Sequence, residues 1–132
     1  MISVLVPGVA TGETLVLAAP LSFWGGVSPE TGEIIEKRHP QFTASIKGKI
    51  LMMPAAKGSS SGSSVLAEII RNGFGPAAII LGAPDAILAT GAMVAEALYG
   101  VNCPVLIADP DLFETLATAR TLAISGNQIR VI

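Results

Sequence analysis

The sequence predicts a single β/β/α domain of the α/β class, on the basis of three observations. Two strand–helix–strand patterns follow one another between residues 49 and 108. Short strand patterns precede this region, and a hairpin pattern follows it. The chain has 132 residues, which is the size of one domain. This order of elements predicts a mixed sheet with helices packed on it.

The N-terminal part is expected to contain short strands and one long irregular segment. Strands are predicted at residues 1–6 and 13–19, joined by a turn around Gly8 and Gly12. Residues 22–40 include paired glycines and two prolines, which break regular structure. The next strand is predicted at residues 44–53, where an alternating pattern becomes wholly apolar, as in a strand that enters a core.

From residue 65 onward, helices and strands are predicted to alternate. Apolar residues at i, i+1, i+4 and i+5 predict a helix at residues 65–71, which the Gly/Pro segment 73–76 ends. The following helix is expected to align Ile87, Gly91, Val94 and Leu98 along one face. The remaining elements are predicted as a strand at 77–81, that helix at 85–99, a strand at 104–108, a helix at 111–119, and a hairpin of 121–124 with 128–132.

The segment that most resembles a ligand site is the loop Lys-Gly-Ser-Ser-Ser-Gly-Ser-Ser at residues 57–64. It joins a buried strand to a helix, whose first N–H groups have no partner within the helix and can bind an anion. One serine could simply cap the helix, and the others could form a linker. A cap explains one serine of five, however, and a linker rarely joins two buried elements. The loop lacks the GxxxxGK[ST] pattern of a nucleotide P-loop.

Composition excludes several classes of function. The chain is 51% hydrophobic and only 14% charged, with a mean hydropathy of +0.64, which predicts a partner surface. No apolar run is long enough for a membrane span, and no signal peptide pattern is present. A net charge of −2 without a basic cluster argues against nucleic acid. The single cysteine, Cys103, fits the reducing cytoplasm and excludes an internal disulfide.

Three further features have two interpretations each. Trp24 beside Gly25 and Gly26 either anchors its loop on the core or marks an approach to a ligand or partner. The only histidine, His39, precedes a proline and is expected to be incidental rather than catalytic. Cys103 is expected to be a small apolar residue at the start of a strand rather than a reactive thiol.

Seven short motifs occur in order along the chain: SFWGGV at 22–27, TG at 31–32, HP at 39–40, GKIL at 48–51, KGSSSGS at 57–63, PAAII at 76–80 and ATGA at 89–92. Each is weak alone, but their joint occurrence is specific. In this combination, over essentially its whole length, the chain resembles the swivelling domain of the aconitase X enzymes. In that family the domain is either fused to a large catalytic part or made as a separate small subunit.

The resemblance implies a dehydratase, that is, a hydro-lyase, with one swivel domain over residues 1–132. Family members dehydrate cis-3-hydroxy-L-proline or mevalonate 5-phosphate. The related aconitase loop implies that Ser59 is the catalytic base. It also implies that substrate is bound by Lys57, Gly58, Ser60, Ser61 and Gly62. Aconitase has an arginine where this chain has Ser61, so Lys57 is the nearest remaining cation.

Such a serine cannot act alone. Serine is about as weak an acid as water, with a pKa far above neutrality, and a helix N-terminus supplies at most ~2 kcal/mol. Iron–sulfur clusters also need several cysteine ligands, whereas this chain has one cysteine. We therefore expect a heterodimer with a large catalytic subunit, which would hold an iron–sulfur cluster or iron.

The substrate is expected to be a small hydroxy acid. Lys57 is the only cation in the loop, and Lys47 and Lys49 are a strand away, which favours cis-3-hydroxy-L-proline over a phosphorylated acid. The alternatives are a mevalonate 5-phosphate dehydratase small subunit, an anion-binding module without turnover, and a purely structural subunit.

Overall fold

The computed structural model of the protein describes residues 1–56 and 61–132. The strands are β1 (Ile2–Val6), β2 (Val9–Val16), β3 (Ile50–Met53), β4 (Ala78–Leu81), β5 (Val105–Ala108), β6 (Thr121–Ser125) and β7 (Gln128–Val131). The helical segments are α1 (Phe23–Gly26), which is a single turn, α2 (Gly62–Arg71), α3 (Ala86–Tyr99) and α4 (Pro110–Ala117). The strands form one sheet in the order β1-β5-β4-β3-β2-β6-β7.

The four central strands, β2 to β5, are parallel. β1 is antiparallel to β5, β6 is antiparallel to β2, and β7 is antiparallel to β6. β2 joins the two parts of the sheet, since Thr14–Val16 pairs with β3 while Val9–Glu13 pairs with β6. We call the edge at which β2 to β5 end the carboxyl edge, and the opposite one the amino edge. Loops that leave the parallel strands therefore start at the carboxyl edge.

The parallel strands β3, β4 and β5 are buried on both faces. Leu51 and Met53 of β3 pack in the cluster that contains α2 and α3, while Ile50 and Met52 pack with α4 and β6. Burial of such a side chain contributes about 1.5–3 kcal/mol, so this strand stabilises both faces of the sheet. The helix layer on one face and the β6 residues packed against the other confirm the predicted α/β class and its β/β/α layering.

Local sequence explains where the later helices begin. The Asp85 carboxylate accepts a hydrogen bond from the Leu88 N–H at 2.9 Å and so caps α3. Asp109 caps α4 through the Leu112 N–H at the same distance, with Pro110 in the first turn. Within residues 1–56 and 61–132, none of the helices has the length and hydrophobicity to cross a membrane.

The predicted bounds of two strands were wrong. β2 starts at Val9 rather than Glu13, because its first half pairs with β6. Gly12 lies inside this strand, not in a turn, and a Cβ there would be 2.6 Å from the Gly48 carbonyl oxygen. β3 starts only at Ile50, because Gly48 has a φ of 68° in the turn that precedes the strand.

The predicted face of α3 was only partly right. Gly91 is buried as expected, together with Leu88, Ala92 and Ala95, whereas Val94 and Leu98 are exposed. The helix is apolar on nearly all sides, so its sequence periodicity does not define which face packs on α2.

Candidate functional site

The loops that follow the parallel strands meet at the carboxyl edge. Residues 17–22 leave β2, residues 54–61 leave β3, and residues 82–85 leave β4. In open sheets with parallel strands, ligands bind at this edge, outside the ends of the strands. The Gly/Ser loop predicted as a site therefore starts where this architecture places ligands.

The two flanks of the Gly/Ser loop are anchored on the core. Ala56 packs against the cluster under α2 and α3, and Leu66 in the second turn of α2 is fully buried in it. The Ser61 carbonyl accepts the Val65 N–H at 3.2 Å, so helical hydrogen bonding begins at Ser61. Gly62 is the first residue of α2 and is buried, whereas Ser61 is exposed.

The other predicted site residues, Lys57, Gly58, Ser59 and Ser60, lie outside the described residues. Their predicted roles remain predictions. These four residues connect Ala56, in the segment that leaves β3, to Ser61 at the start of α2.

Glycines allow close approaches around this loop. A Cβ at Gly82 would lie 2.7 Å from the Pro54 carbonyl oxygen, so the chain leaving β4 crosses directly against the chain leaving β3. A Cβ at Gly91 would lie 2.7 Å from the Ser63 carbonyl oxygen, which brings α3 against the first turn of α2. Neither glycine was predicted to belong to the site. A glycine inside a predicted helix, such as Gly91, is the sequence signal that could have indicated a close approach.

The start of α2 favours an anion. Its first turn, which begins at Gly62, carries no acidic residue, and the N-terminal end of a helix bears partial positive charge. The nearby Asp85 carboxylate is engaged as the cap of α3. Lys47 and Lys49 precede β3 and therefore lie toward the amino edge. Lys47 Nζ lies 5.2 Å from the centre of the Phe74 ring, and Lys49 Nζ lies 3.8 Å from Glu13 Oε1.

The one-turn segment α1, here called the Trp24 turn, follows the exit of β2 and contacts α2. Trp24 has φ −71° and ψ 116°, and Gly25 has φ 77° and ψ −8°, which are the angles of a type II turn. The positive φ explains the glycine at position 25. Phe23 is 2% exposed and anchors the turn, whereas Trp24 is 60% exposed. The anchoring aromatic residue is thus Phe23, not Trp24.

His39 and Gln41 hold the exit of β2 in place. His39 is buried, its Nε2 lies 3.0 Å from the Ala19 carbonyl oxygen, and its Nδ1 accepts the Gln41 N–H at 3.0 Å. The Gln41 side chain accepts from the Ala18 N–H and donates to the Val16 carbonyl. His39 thus has a structural role. Nothing in the sequence pattern indicated Gln41, because its partners are distant in sequence.

The described residues do not fit an iron–sulfur cluster. They contain no group of three or more His, Cys, Asp or Glu side chains placed to hold a metal ion. Cys103 is buried at the start of β5, and burial raises the pKa of its thiol to about 12. The thiolate, which is the form that binds metals, is therefore strongly disfavoured at this position.

Comparison with known proteins identifies the family. The family model for the aconitase X swivel domain matches residues 2–131. This chain belongs to the aconitase X swivel-domain family. The resemblance predicted from the seven motifs is confirmed. The crystal structure of the holo form of Thermococcus kodakaraensis aconitase X superposes with a TM-score of 0.83 at 31% identity, covering 98% of this chain and 94% of that chain.

Two curated relatives of this aconitase X swivel domain differ in the substrate that their names give. Over 101 residues it is 50% identical to the cis-3-hydroxy-L-proline dehydratase of Pseudomonas aeruginosa, covering 76% of this chain but 17% of that protein. Over 88 residues it is 47% identical to the phosphomevalonate dehydratase small subunit of Methanothermobacter thermautotrophicus, covering 67% of both chains. The chain thus spans less than a fifth of the Pseudomonas protein, and most of that dehydratase has no counterpart here.

Proposed function

We propose that this chain, as one swivel domain over residues 1–132, is the small subunit of an aconitase X-type hydro-lyase that dehydrates cis-3-hydroxy-L-proline. The observation that carries the proposal is the 50% identity to a cis-3-hydroxy-L-proline dehydratase over 101 residues. The matched relatives are dehydratases or dehydratase subunits, which supports lyase chemistry whichever substrate is used.

In this proposal Ser59 is the base that removes the C–H proton of the substrate. Lys57, Gly58, Ser60, Ser61 and Gly62 bind the substrate carboxylate. Two features support these roles: the loop leaves β3 at the carboxyl edge, and it leads into the N-terminus of α2, which favours negative charge. A carboxylate bound there would be held by backbone N–H groups and by Lys57.

The reaction balances without a redox partner. The base takes the proton, the C–H electron pair forms a C=C bond, and the hydroxyl leaves with a proton as water. The resulting cyclic enamine tautomerises to an imine. Loss of hydroxide requires an electron-pair acceptor or a proton donor. We assign that group to a large catalytic subunit, which would carry an iron–sulfur cluster or iron, in a cytoplasmic heterodimer.

The positions of the lysines support the unphosphorylated substrate. A phosphate dianion calls for several cations, yet Lys47 and Lys49 lie toward the amino edge, against Phe74 and Glu13. Lys57 is then the cation that the sequence supplies at the loop itself.

The second candidate is a mevalonate 5-phosphate dehydratase small subunit. One observation favours it: the phosphomevalonate dehydratase relative is itself a small subunit, and the match covers 67% of its length, against 17% of the Pseudomonas dehydratase. The match to a separate small subunit thus favours mevalonate 5-phosphate as the substrate. The 50% sequence identity and the positions of the lysines favour cis-3-hydroxy-L-proline.

The experiment is a direct comparison of substrates. The chain is assembled with its large subunit, and kcat/KM is measured for cis-3-hydroxy-L-proline and for mevalonate 5-phosphate. We expect preference for the hydroxyproline. Preference for the phosphorylated acid would support the second candidate. Loop-dependent binding of either acid without turnover would indicate an anion-binding module, and neither binding nor turnover would indicate a structural subunit.

A further inference from the structure

The Trp24 turn presents its indole on a rigid support. Ser22 Oγ donates to the Trp24 carbonyl at 3.1 Å, and the Ile35 N–H donates to the Gly26 carbonyl at 2.8 Å. Phe23 and Gly26 on either side are buried. A large aromatic side chain held in this way loses little conformational freedom on binding, which is why such residues dominate many interfaces.

A second exposed apolar residue is joined to the turn by a backbone hydrogen bond. Ile35, whose N–H binds the Gly26 carbonyl, is 46% exposed. The His39 and Gln41 contacts fix the exit of β2, from which the turn departs. Trp24 and Ile35 are therefore exposed apolar residues on a turn that is firmly connected to the sheet.

The position of the turn indicates what covers it. It leaves β2 at the same edge where the Gly/Ser loop leaves β3, and it contacts α2. Any polypeptide that completes an active site at that loop must approach this edge and meet the turn. The Pseudomonas dehydratase contains such additional chain, since the match spans 17% of its length. By contrast, the exposed Leu98 lies near the C-terminal end of α3, which is at the amino edge, away from the Trp24 turn.

We propose that the Trp24 turn is the docking surface for the large catalytic subunit, which receives the Trp24 indole in an apolar pocket beside the active site. This inference rests on the proposed function, because that function supplies the partner. The inference adds to that function the residue through which this chain contacts the large subunit, Trp24.

The test measures the Kd between this chain and the purified large subunit. Trp24→Ala should weaken binding by about tenfold or more, as expected for a central interface aromatic, and Trp24→Phe should fall between Trp24→Ala and the wild type. Leu98→Ala is the matched control, since Leu98 is also an exposed apolar residue, 68% exposed against 60% for Trp24. It should stay within about twofold of the wild type. Unchanged binding by Trp24→Ala, or an equal loss in Leu98→Ala, would overturn the proposal.

A second measurement needs no variant. Trp24 is the only tryptophan of this chain, so 5-fluorotryptophan labelling gives one ¹⁹F resonance. That resonance should shift when saturating unlabelled large subunit is added, and an unchanged resonance would reject the contact. Neither readout requires turnover. Association without dehydration of either acid would reject the proposed function alone, whereas dehydration with unchanged Trp24→Ala affinity would reject the docking surface alone.

Discussion

The two edges of the parallel strands differ in the contacts that they contain. At the carboxyl edge, backbones approach closely at Gly82 and Gly91, and the exits of β3 and β4 lie against each other. At the amino edge, long cationic side chains are engaged with their neighbours: Arg71 pairs with Glu68 at 2.7 Å and lies over the Tyr99 ring. Lys47, Lys49 and Arg71, which flank the Gly/Ser loop in sequence, are thus engaged toward the amino edge and not at the loop.

The largest expected effect is at the Gly/Ser loop. In the assembled enzyme, Ser59→Ala should lower kcat by orders of magnitude, because it removes the proposed proton acceptor. Ser64→Ala is the control, since Ser64 is exposed within α2 and has no proposed role. Steady-state kinetics on both variants tests the assignment. Equal kcat for Ser59→Ala and wild type would remove this serine from the mechanism.

A smaller effect is expected where α3 meets the start of α2. Gly91→Ala would place a Cβ against the Ser63 backbone, and this overpacking costs about 1–3 kcal/mol. That cost exceeds the gain of about 1 kcal/mol from replacing glycine in a helix. The variant should melt at a lower temperature in a calorimetric scan, and its kcat should fall because α2 is displaced.

Thr90→Ala is the control for that change, since Thr90 is exposed on the same helix and its hydroxyl donates to the Ala86 carbonyl within it. Its stability should change by at most about 0.5 kcal/mol. If Gly91→Ala were as stable and as active as the Thr90→Ala variant, the close approach of the two helices would not matter for the site.

The smallest effect is expected at the amino edge. Arg71→Ala removes an exposed ion pair with Glu68 and a contact with the Tyr99 ring. Exposed contacts of this kind contribute about 1 kcal/mol or less. Stability should fall only slightly in urea denaturation, and kcat/KM should be unchanged. A tenfold loss of kcat/KM would mean that this cation acts on the substrate, and the contrast between the two edges would fail.

Much of the helix and strand pattern was predictable from local signals. The apolar runs of β3, β4 and β5 and the intervening helices follow from hydrophobic periodicity and from glycine and proline breaks. Asp85 and Asp109 then set the helix starts as caps. The errors occurred where distant partners decide the outcome. Val9 to Glu13 is a strand because β6 pairs with it, and no signal within those five residues states this.

The sequence alone determined the family, through seven motifs in order, and it placed the Gly/Ser loop between a buried strand and a helix. These features are local, since they depend on residue types a few positions apart. The tertiary structure decided which elements meet. In the folded chain Phe23 is buried and Trp24 is exposed, and the Gln41 side chain holds the exit of β2. Leu98 is exposed on a helix that is apolar on nearly all sides. Such outcomes depend on packing between segments distant in sequence, so the order of residues along one segment cannot specify them.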